Sequence, residues 1–311
     1  MKNPIFYNER RMRPGWRVFF FILCLSALAY LLFALILGPS YLSATDALPS
    51  LGELLPGEGL GLVALMVVTA LFVLAVDRRP WPTLGVALTR SGLKELFLGL
   101  GLGSLLISAV FVSVLAAGAV RIDGIHFDVE KIFAGQFGLS LAFLIISAIS
   151  EELQLRGYLF QTFLEGIGVY PTLAVTSVLF ALLHVGNPNV NTLALVNIAL
   201  AGLLLGIAYL RTRALWLPIG IHFTWNLLQA HLFSLPVSGI EIQPKLMDVH
   251  TTGSGLLSGG AFGLEGSLIT TIVLGGAAIG LWVAPWLRPA EALEFLWRQN
   301  LQLAPRGGEL P

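Results

Sequence analysis

Residues 134–156 read AGQFGLSLAFLIISAISEELQLR, an apolar run that ends in two adjacent glutamates and an arginine. An apolar run of this length is typical of a helix inside a lipid bilayer, where the backbone must satisfy its own hydrogen bonds. A charged side chain at the centre of such a helix costs roughly 2.5 to 3.5 kcal/mol on insertion scales. Charges that persist at such a position therefore indicate a functional site inside a membrane protein.

The rest of the chain extends this membrane pattern. Of its 311 residues, 56% are hydrophobic and only 12% are charged, whereas soluble domains carry about 25% charged residues. Eight apolar stretches are long enough to cross a bilayer, at about 18–37, 59–76, 96–120, 134–150, 171–186, 192–210, 214–233 and 267–287. The predicted fold class is an all-α, polytopic bundle of about eight transmembrane helices, which forms a single integral membrane domain over residues 1–311.

The loops predict an orientation for this bundle. Lys and Arg precede helix 1, occur between helices 2 and 3 and between helices 6 and 7, and follow helix 8, whereas the 38–58 loop carries acids without any base. Basic residues are enriched in cytoplasmic loops, so both termini are predicted to be cytoplasmic, with the chain in the cell membrane. The Gly/Ser-rich stretch 251–266 is expected to be a flexible external loop, with a re-entrant segment as the alternative.

Glycines recur within two of the predicted helices. Gly99, Gly101 and Gly103 lie in helix 3, and Gly202 and Gly206 lie in helix 6. Small residues let membrane helices approach closely. These glycines are therefore interpreted as packing positions.

Three short motifs place polar and ionisable residues in separate predicted helices: Glu151-Glu152-x-x-x-Arg156, Phe180-x-x-x-His184 and His222-x-x-x-Asn226. Side chains four residues apart share a helix face. Glu152 is therefore expected to form an internal ion pair with Arg156, while Glu151, about 100° away around the helix, faces a cavity. Phe180 is expected to be a packing wall beside the site.

The helical rise predicts that the motifs meet. At about 1.5 Å per residue, Glu151, His184, His222 and Asn226 are all expected near the middle of the bilayer. A single histidine in a membrane helix can simply bond to a neighbouring helix. Two histidines, two acids, an arginine and an asparagine at paired spacing favour a functional site instead.

These residues resemble the CPBP intramembrane proteases, also called the CAAX protease and bacteriocin-processing (Abi) family, whose eukaryotic relatives are CAAX prenyl endopeptidases. That family carries EExxxR, FxxxH and HxxxN motifs in successive core helices, and all three occur here in this order. Gly157-Tyr158-Leu159 and Leu215-Trp216-x-Pro218 are also similar to the family. The resemblance covers about residues 80–235.

The resemblance implies an eight-helix membrane fold and peptide-bond hydrolysis inside the membrane. Glu151 with His184 would activate a water molecule, while His222 and Asn226 would ligate a metal or stabilise an oxyanion. The implied cofactor is a divalent metal ion, zinc before others, with Glu151, His184, His222 and Asn226 as its ligands. A glutamate-dependent mechanism without metal is the alternative, because Asn is a poor zinc ligand and its amide suits an oxyanion. Glu152 completes the candidate catalytic set as the alternative acid.

Two other functions compete with a protease. One is a non-enzymatic membrane immunity or binding protein, and the other is a proton-coupled transporter that uses intramembrane Glu and His as a relay. The chain shows no duplicated halves of the kind common in transporters. It also lacks a His-Glu-x-x-His zinc helix and the serine and aspartyl motifs of other intramembrane proteases. The predicted partners are a peptide or protein substrate and the lipid bilayer, with no nucleic acid.

Overall fold

The structure is a computed structural model that describes residues 5–8, 11–38, 51–125 and 135–301. Its helices, in chain order, are α1 (Pro14–Leu32), α2 (Leu51–Ala70), α3 (Arg90–Ala116), α4 (Gln136–Glu152), α5 (Leu159–Ile167), α6 (Val169–Leu183), α7 (Thr192–Thr212), α8 (Trp216–Leu227), α9 (Gly255–Ser258), α10 (Leu268–Val283) and α11 (Glu291–Asn300). The π-helical turns Phe33–Leu37, Leu71–Val76 and Leu228–Leu232 extend α1, α2 and α8, and the π-helical turn Leu153–Tyr158 joins α4 to α5.

The prediction of a polytopic helical membrane protein is confirmed. Within the described residues, 5 helices are long and apolar enough to cross a membrane: Pro14–Leu37, Leu54–Val76, Arg90–Ala116, Gln136–Ile167 and Thr192–Thr212. Val169–Leu183 and Leu268–Val283 are shorter apolar helices. The remaining predicted span, 214–233, is α8 with its π-helical turn.

Three details differ from the sequence prediction. Strands β1 (Val120–Ile125) and β2 (Met247–Thr251) form an antiparallel pair that the all-α prediction did not include. The stretch 251–266 is not the irregular loop that was expected, because α9 and short 3₁₀ turns fold there and bury the apolar side chains of Phe262 and Leu264 completely; its external location stays a prediction. The predicted 38–58 loop is shorter than expected, since residues 51–58 belong to α2 and residues 39–50 lie outside the described part of the chain.

Glycines set the distance between the helices that carry the motifs. A Cβ added to Gly99 or Gly103 on α3 would collide with the α8 backbone, at Leu217 and Ile221 respectively. A Cβ on Gly202 of α7 would lie 3.0 Å from the Cα of Ser177 on α6. These close approaches hold α8 against α3 and α7 against α6, as the packing interpretation predicts. Gly101 is the exception, because it faces open space.

The basic residues of several loops meet at one end of the bundle. Arg11 binds Glu165 at 2.7 Å and Arg17 binds Asp77 at 2.8 Å, which ties the N-terminal segment to α2 and α5. Arg213, after α7, binds Glu294 of α11 at 3.4 Å. These segments therefore share one end of the molecule, as the loop charges predict, and the assignment of that end to the cytoplasm stays a prediction.

Candidate active site

The first motif lies at a break in its helix. Glu151 and Glu152 end α4, and the π-helical turn after them includes Gly157, whose backbone (φ −81°, ψ −120°) is not helical. Single π-helical turns inside α-helices occur frequently at functional sites. The break separates the directions of α4 and α5, so both glutamates project from the last turn of α4 into the bundle.

Arg156 connects this π-helical turn to two neighbouring helices, α6 and α7. Its Nη1 donates to Glu152 Oε1 at 3.0 Å, and both side chains are fully buried. Its Nη2 donates to the carbonyl oxygen of Gly202 on α7 at 3.0 Å. The guanidinium also lies 4.6 Å from the ring centre of Phe180 on α6. The predicted Glu152–Arg156 ion pair is therefore present, and Phe180 contributes a cation–π contact in addition to packing.

Both histidines are oriented by hydrogen bonds from Nδ1. His222 Nδ1 donates to Glu152 Oε1 at 2.9 Å, and His184 Nδ1 donates to the carbonyl oxygen of Phe180 at 2.8 Å. Because Nδ1 carries the proton in each bond, Nε2 of the neutral ring keeps its lone pair. Each Nε2 lies 3.9 Å from Glu151 Oε2. The two imidazoles thus converge on one carboxylate oxygen.

The two oxygens of Glu151 have different surroundings. Ser147 Oγ donates to Oε1 at 2.9 Å. Oε2 is buried and makes no hydrogen bond to the described protein atoms. The Glu151 side chain is 25% exposed, because it lines a cavity of about 560 Å³ together with His184, His222 and Asn226. All four residues predicted to meet in the bundle therefore lie on one cavity.

A smaller cavity of about 60 Å³ adjoins the same residues. His184, His222 and Asn226 form part of its wall, and Asn197 of α7 and Glu265 form another part. Burial raises the pKa of the Glu265 carboxyl to about 7. The carboxylate accepts a hydrogen bond from Gln229 Nε2, and Asn197 Nδ2 donates to the Glu265 carbonyl oxygen at 2.7 Å.

Sequence reasoning missed Ser147, Asn197 and Glu265. Ser147 is four residues before Glu151 in α4, and that spacing was a signal that the hydroxyl shares the face of the acid. Asn197 was visible as a polar residue within an apolar span. Glu265 follows a Gly-rich stretch with no helical spacing to any motif, so only the fold places it near the histidines.

The site residues fit a divalent metal in type but not in spacing. Zinc bonds of about 2.0 to 2.2 Å place tetrahedral ligand atoms roughly 3.3 to 3.6 Å apart, whereas Glu151 Oε2 is 3.9 Å from each Nε2. Among the described residues, no group of three or more His, Cys, Asp or Glu side chains is arranged to hold a metal ion. The same spacing suits a water molecule that bonds to the carboxylate and an imidazole at about 2.8 Å each.

Comparison with known families gives one match. Residues 133–228 match the model of the Rce1-like family, described as type II CAAX prenyl endopeptidase Rce1-like. The matched segment contains the three motifs and ends two residues after Asn226. No curated protein and no solved structure matches the chain.

Proposed function

Because residues 133–228 belong to the Rce1-like family of type II CAAX prenyl endopeptidases, we propose that this chain is an intramembrane endopeptidase in which Glu151 activates the attacking water. One observation carries the proposal. Glu151 lines a cavity, and its Oε2 has no hydrogen-bond partner in the described protein and lies 3.9 Å from Nε2 of each of two histidines. A positioned base beside open space is what hydrolysis requires.

In the proposed reaction, a water molecule bonds to Glu151 Oε2 and to His184 Nε2. Its oxygen attacks the carbonyl carbon of the scissile peptide bond, and Glu151 accepts the proton that the water loses. Ser147 contributes by donating to Oε1 at 2.9 Å, which leaves Oε2 as the oxygen that bonds to the water. A positioned general base of this kind contributes about 10² to 10⁴ in rate.

The remaining residues act on the charge that develops. The Asn226 side-chain amide donates to the oxyanion, and His222 assists when it is protonated. Glu152, fixed 2.9 Å from His222 Nδ1, stabilises that protonated ring. The C–N bond then breaks, and Glu151 returns its proton to the leaving amine. The products are a carboxylic acid and a free amine, and Glu151 is again a carboxylate.

A divalent metal ion, zinc before others, is a separate proposal for the same site. Glu151, His184, His222 and Asn226 would hold it, and the Glu151 carboxylate and each of the two imidazoles would have to approach each other by roughly 0.3 to 0.6 Å. A bound metal would supply Lewis-acid polarisation of the substrate carbonyl. The proposed hydrolysis by Glu151 does not require the metal ion.

The proposed substrate is a peptide or protein segment held in or at the bilayer, and the proposed location is the cell membrane with both termini cytoplasmic. Much of the wall of the larger cavity is apolar, for example Leu25 of α1, Leu62 of α2 and Leu144 of α4. Apolar walls exclude water from the reaction centre and contact apolar substrate side chains.

The test is peptide cleavage by the purified full-length protein in detergent. Membrane-associated peptides are incubated with wild type and with Glu151→Gln, and mass spectrometry identifies new termini. Products that appear only with wild type support the proposal. If wild type releases no product, or if both proteins release the same products, the assignment of hydrolysis to this site is refuted.

A further inference from the structure

A third acid lines the larger cavity. Glu58, in the first half of α2, is half-buried and shares the wall with Glu151. The two carboxylates are close enough for their charges to interact. The proposed reaction assigns no role to Glu58.

Glu58 differs from other acids of the bundle in its electrostatic surroundings. Asp77, Glu152 and Glu165 each bind an arginine within 3.0 Å. Within the described residues, no basic side chain forms a salt bridge with Glu58, which shares its cavity wall with the acid Glu151. A carboxylate in an apolar bundle is costly without a positive partner. Glu58 therefore has the surroundings of a site that receives its cation from outside the chain.

An independent observation comes from Ser150, the residue before Glu151. It is only 9% exposed, its Oγ has no hydrogen-bond partner in the described protein, and it lines the same cavity. Buried polar groups normally have partners. The Gln154 side chain also belongs to this wall. A carboxylate, a hydroxyl and an amide oxygen all accept hydrogen bonds. This set of acceptors is complementary to an ammonium or guanidinium group, which only donates.

We propose that Glu58, with Ser150, binds a basic side chain of the substrate and so places the neighbouring peptide bond at Glu151. The substrate is then a membrane-associated peptide with a lysine or arginine close to the cleaved bond. This inference rests on the proposed endopeptidase function. Opposite charges interact more strongly in such a low-dielectric cavity than in water, so a single basic residue is sufficient to select among otherwise apolar peptides.

Binding tests the inference without turnover. Two fluorescent, N-acetylated apolar peptides that differ in one central residue, lysine or glutamine, are titrated into full-length wild type, Glu58→Gln and Glu95→Gln in detergent. Glu95 is a matched control, because it is a buried carboxylate of α3 and lines neither cavity. Wild type and Glu95→Gln are expected to bind the lysine peptide about tenfold more tightly, and Glu58→Gln is expected to lose this preference. A glutamine peptide with a free amino terminus tests whether a terminal amine replaces the side chain.

Equal binding of the lysine and glutamine peptides to wild type would overturn the inference, as would a preference that survives Glu58→Gln. Glu58→Asp keeps the charge and is expected to keep most of the preference, so it separates a charge effect from misfolding. Cleavage gives a second readout: Glu58→Gln should slow cleavage of the lysine peptide selectively. An equal loss for both peptides would refute a role in specificity. If no peptide is cleaved by wild type, the endopeptidase proposal fails while the binding result still decides the cation site.

Discussion

Replacing Glu152 with glutamine is expected to destabilise the protein far more than the same replacement at its neighbour Glu151. Glu152 Oε1 accepts hydrogen bonds from Arg156 Nη1 at 3.0 Å and from His222 Nδ1 at 2.9 Å. Neither Glu152 nor Arg156 has exposed side-chain surface. Glutamine preserves the shape and removes the charge, so the Arg156 guanidinium stays buried without a carboxylate.

Breaking one side of a buried ion pair costs about 3 to 5 kcal/mol. The Gly202 carbonyl oxygen and the Phe180 ring still contact Arg156, which places the expected loss near the lower limit, about 3 kcal/mol. Glu151 is partly exposed to the cavity and has no arginine partner among the described residues. The loss expected for Glu151→Gln is therefore within about 0.5 kcal/mol of zero.

Thermal unfolding of the purified variants in one detergent measures this difference. Glu152→Gln is expected to melt about 5 °C below wild type, and Glu151→Gln close to wild type. The double variant Glu152→Gln with Arg156→Met removes both charges and is expected to be more stable than Glu152→Gln alone. Equal melting of wild type and Glu152→Gln, together with lost cleavage, would refute the structural role and assign Glu152 to the chemistry.

Three further predictions concern activity, metal and topology. Glu151→Gln should lower the kcat of peptide cleavage about 10² to 10⁴-fold because an amide cannot accept the water proton. Asn226→Ala should lower it about 10² to 10³-fold because the variant loses an oxyanion donor. Cleavage of a fluorogenic peptide at matched folded concentration measures both effects, and activity of Glu151→Gln within a few-fold of wild type would refute Glu151 as the base. If the site holds zinc, elemental analysis of purified wild type should find about one ion per chain and less in His184→Ala and His222→Ala; metal-free protein that stays active with a chelator would contradict the metal proposal. Reporter fusions at Ser50 and Arg213 should give opposite signals because the loop charges place these positions on opposite sides, and equal signals would refute the topology.

The sequence predicts the membrane fold, and it predicts that four motif residues come together, as they do on the wall of one cavity. The length of each apolar stretch identifies the spans. Glu152 and Arg156, four residues apart, form their ion pair even though Arg156 lies in a π-helical turn. The turn itself was not predicted. The Glu152 bond to His222 joins residues 70 positions apart, and no local pattern specifies such a pairing.

Other misses have a different cause. Glu58 was assigned to a loop because the acids near it interrupt the apolar run, yet α2 begins at Leu51 and includes it. The β1–β2 pair joins Val120 to Thr251, which are far apart in the chain, and a short strand beside a long helix carries little sequence signal. Glu265 reaches the smaller cavity only because α9 and its turns fold inward.

The wall of the larger cavity is assembled from three separate parts of the chain, the last of them at 237–242. Glu151, His184, His222 and Asn226 lie within the family segment 133–228, whereas Glu58, Leu25 and other wall residues belong to α1 and α2, far upstream. If the chain is the proposed endopeptidase, mutation in the first two helices alters which peptides enter while the proposed catalytic residues stay unchanged. Homologues with identical motifs can for this reason differ in substrate preference. Exchange of residues 14–76 between two such homologues should transfer the substrate preference together with the exchanged helices.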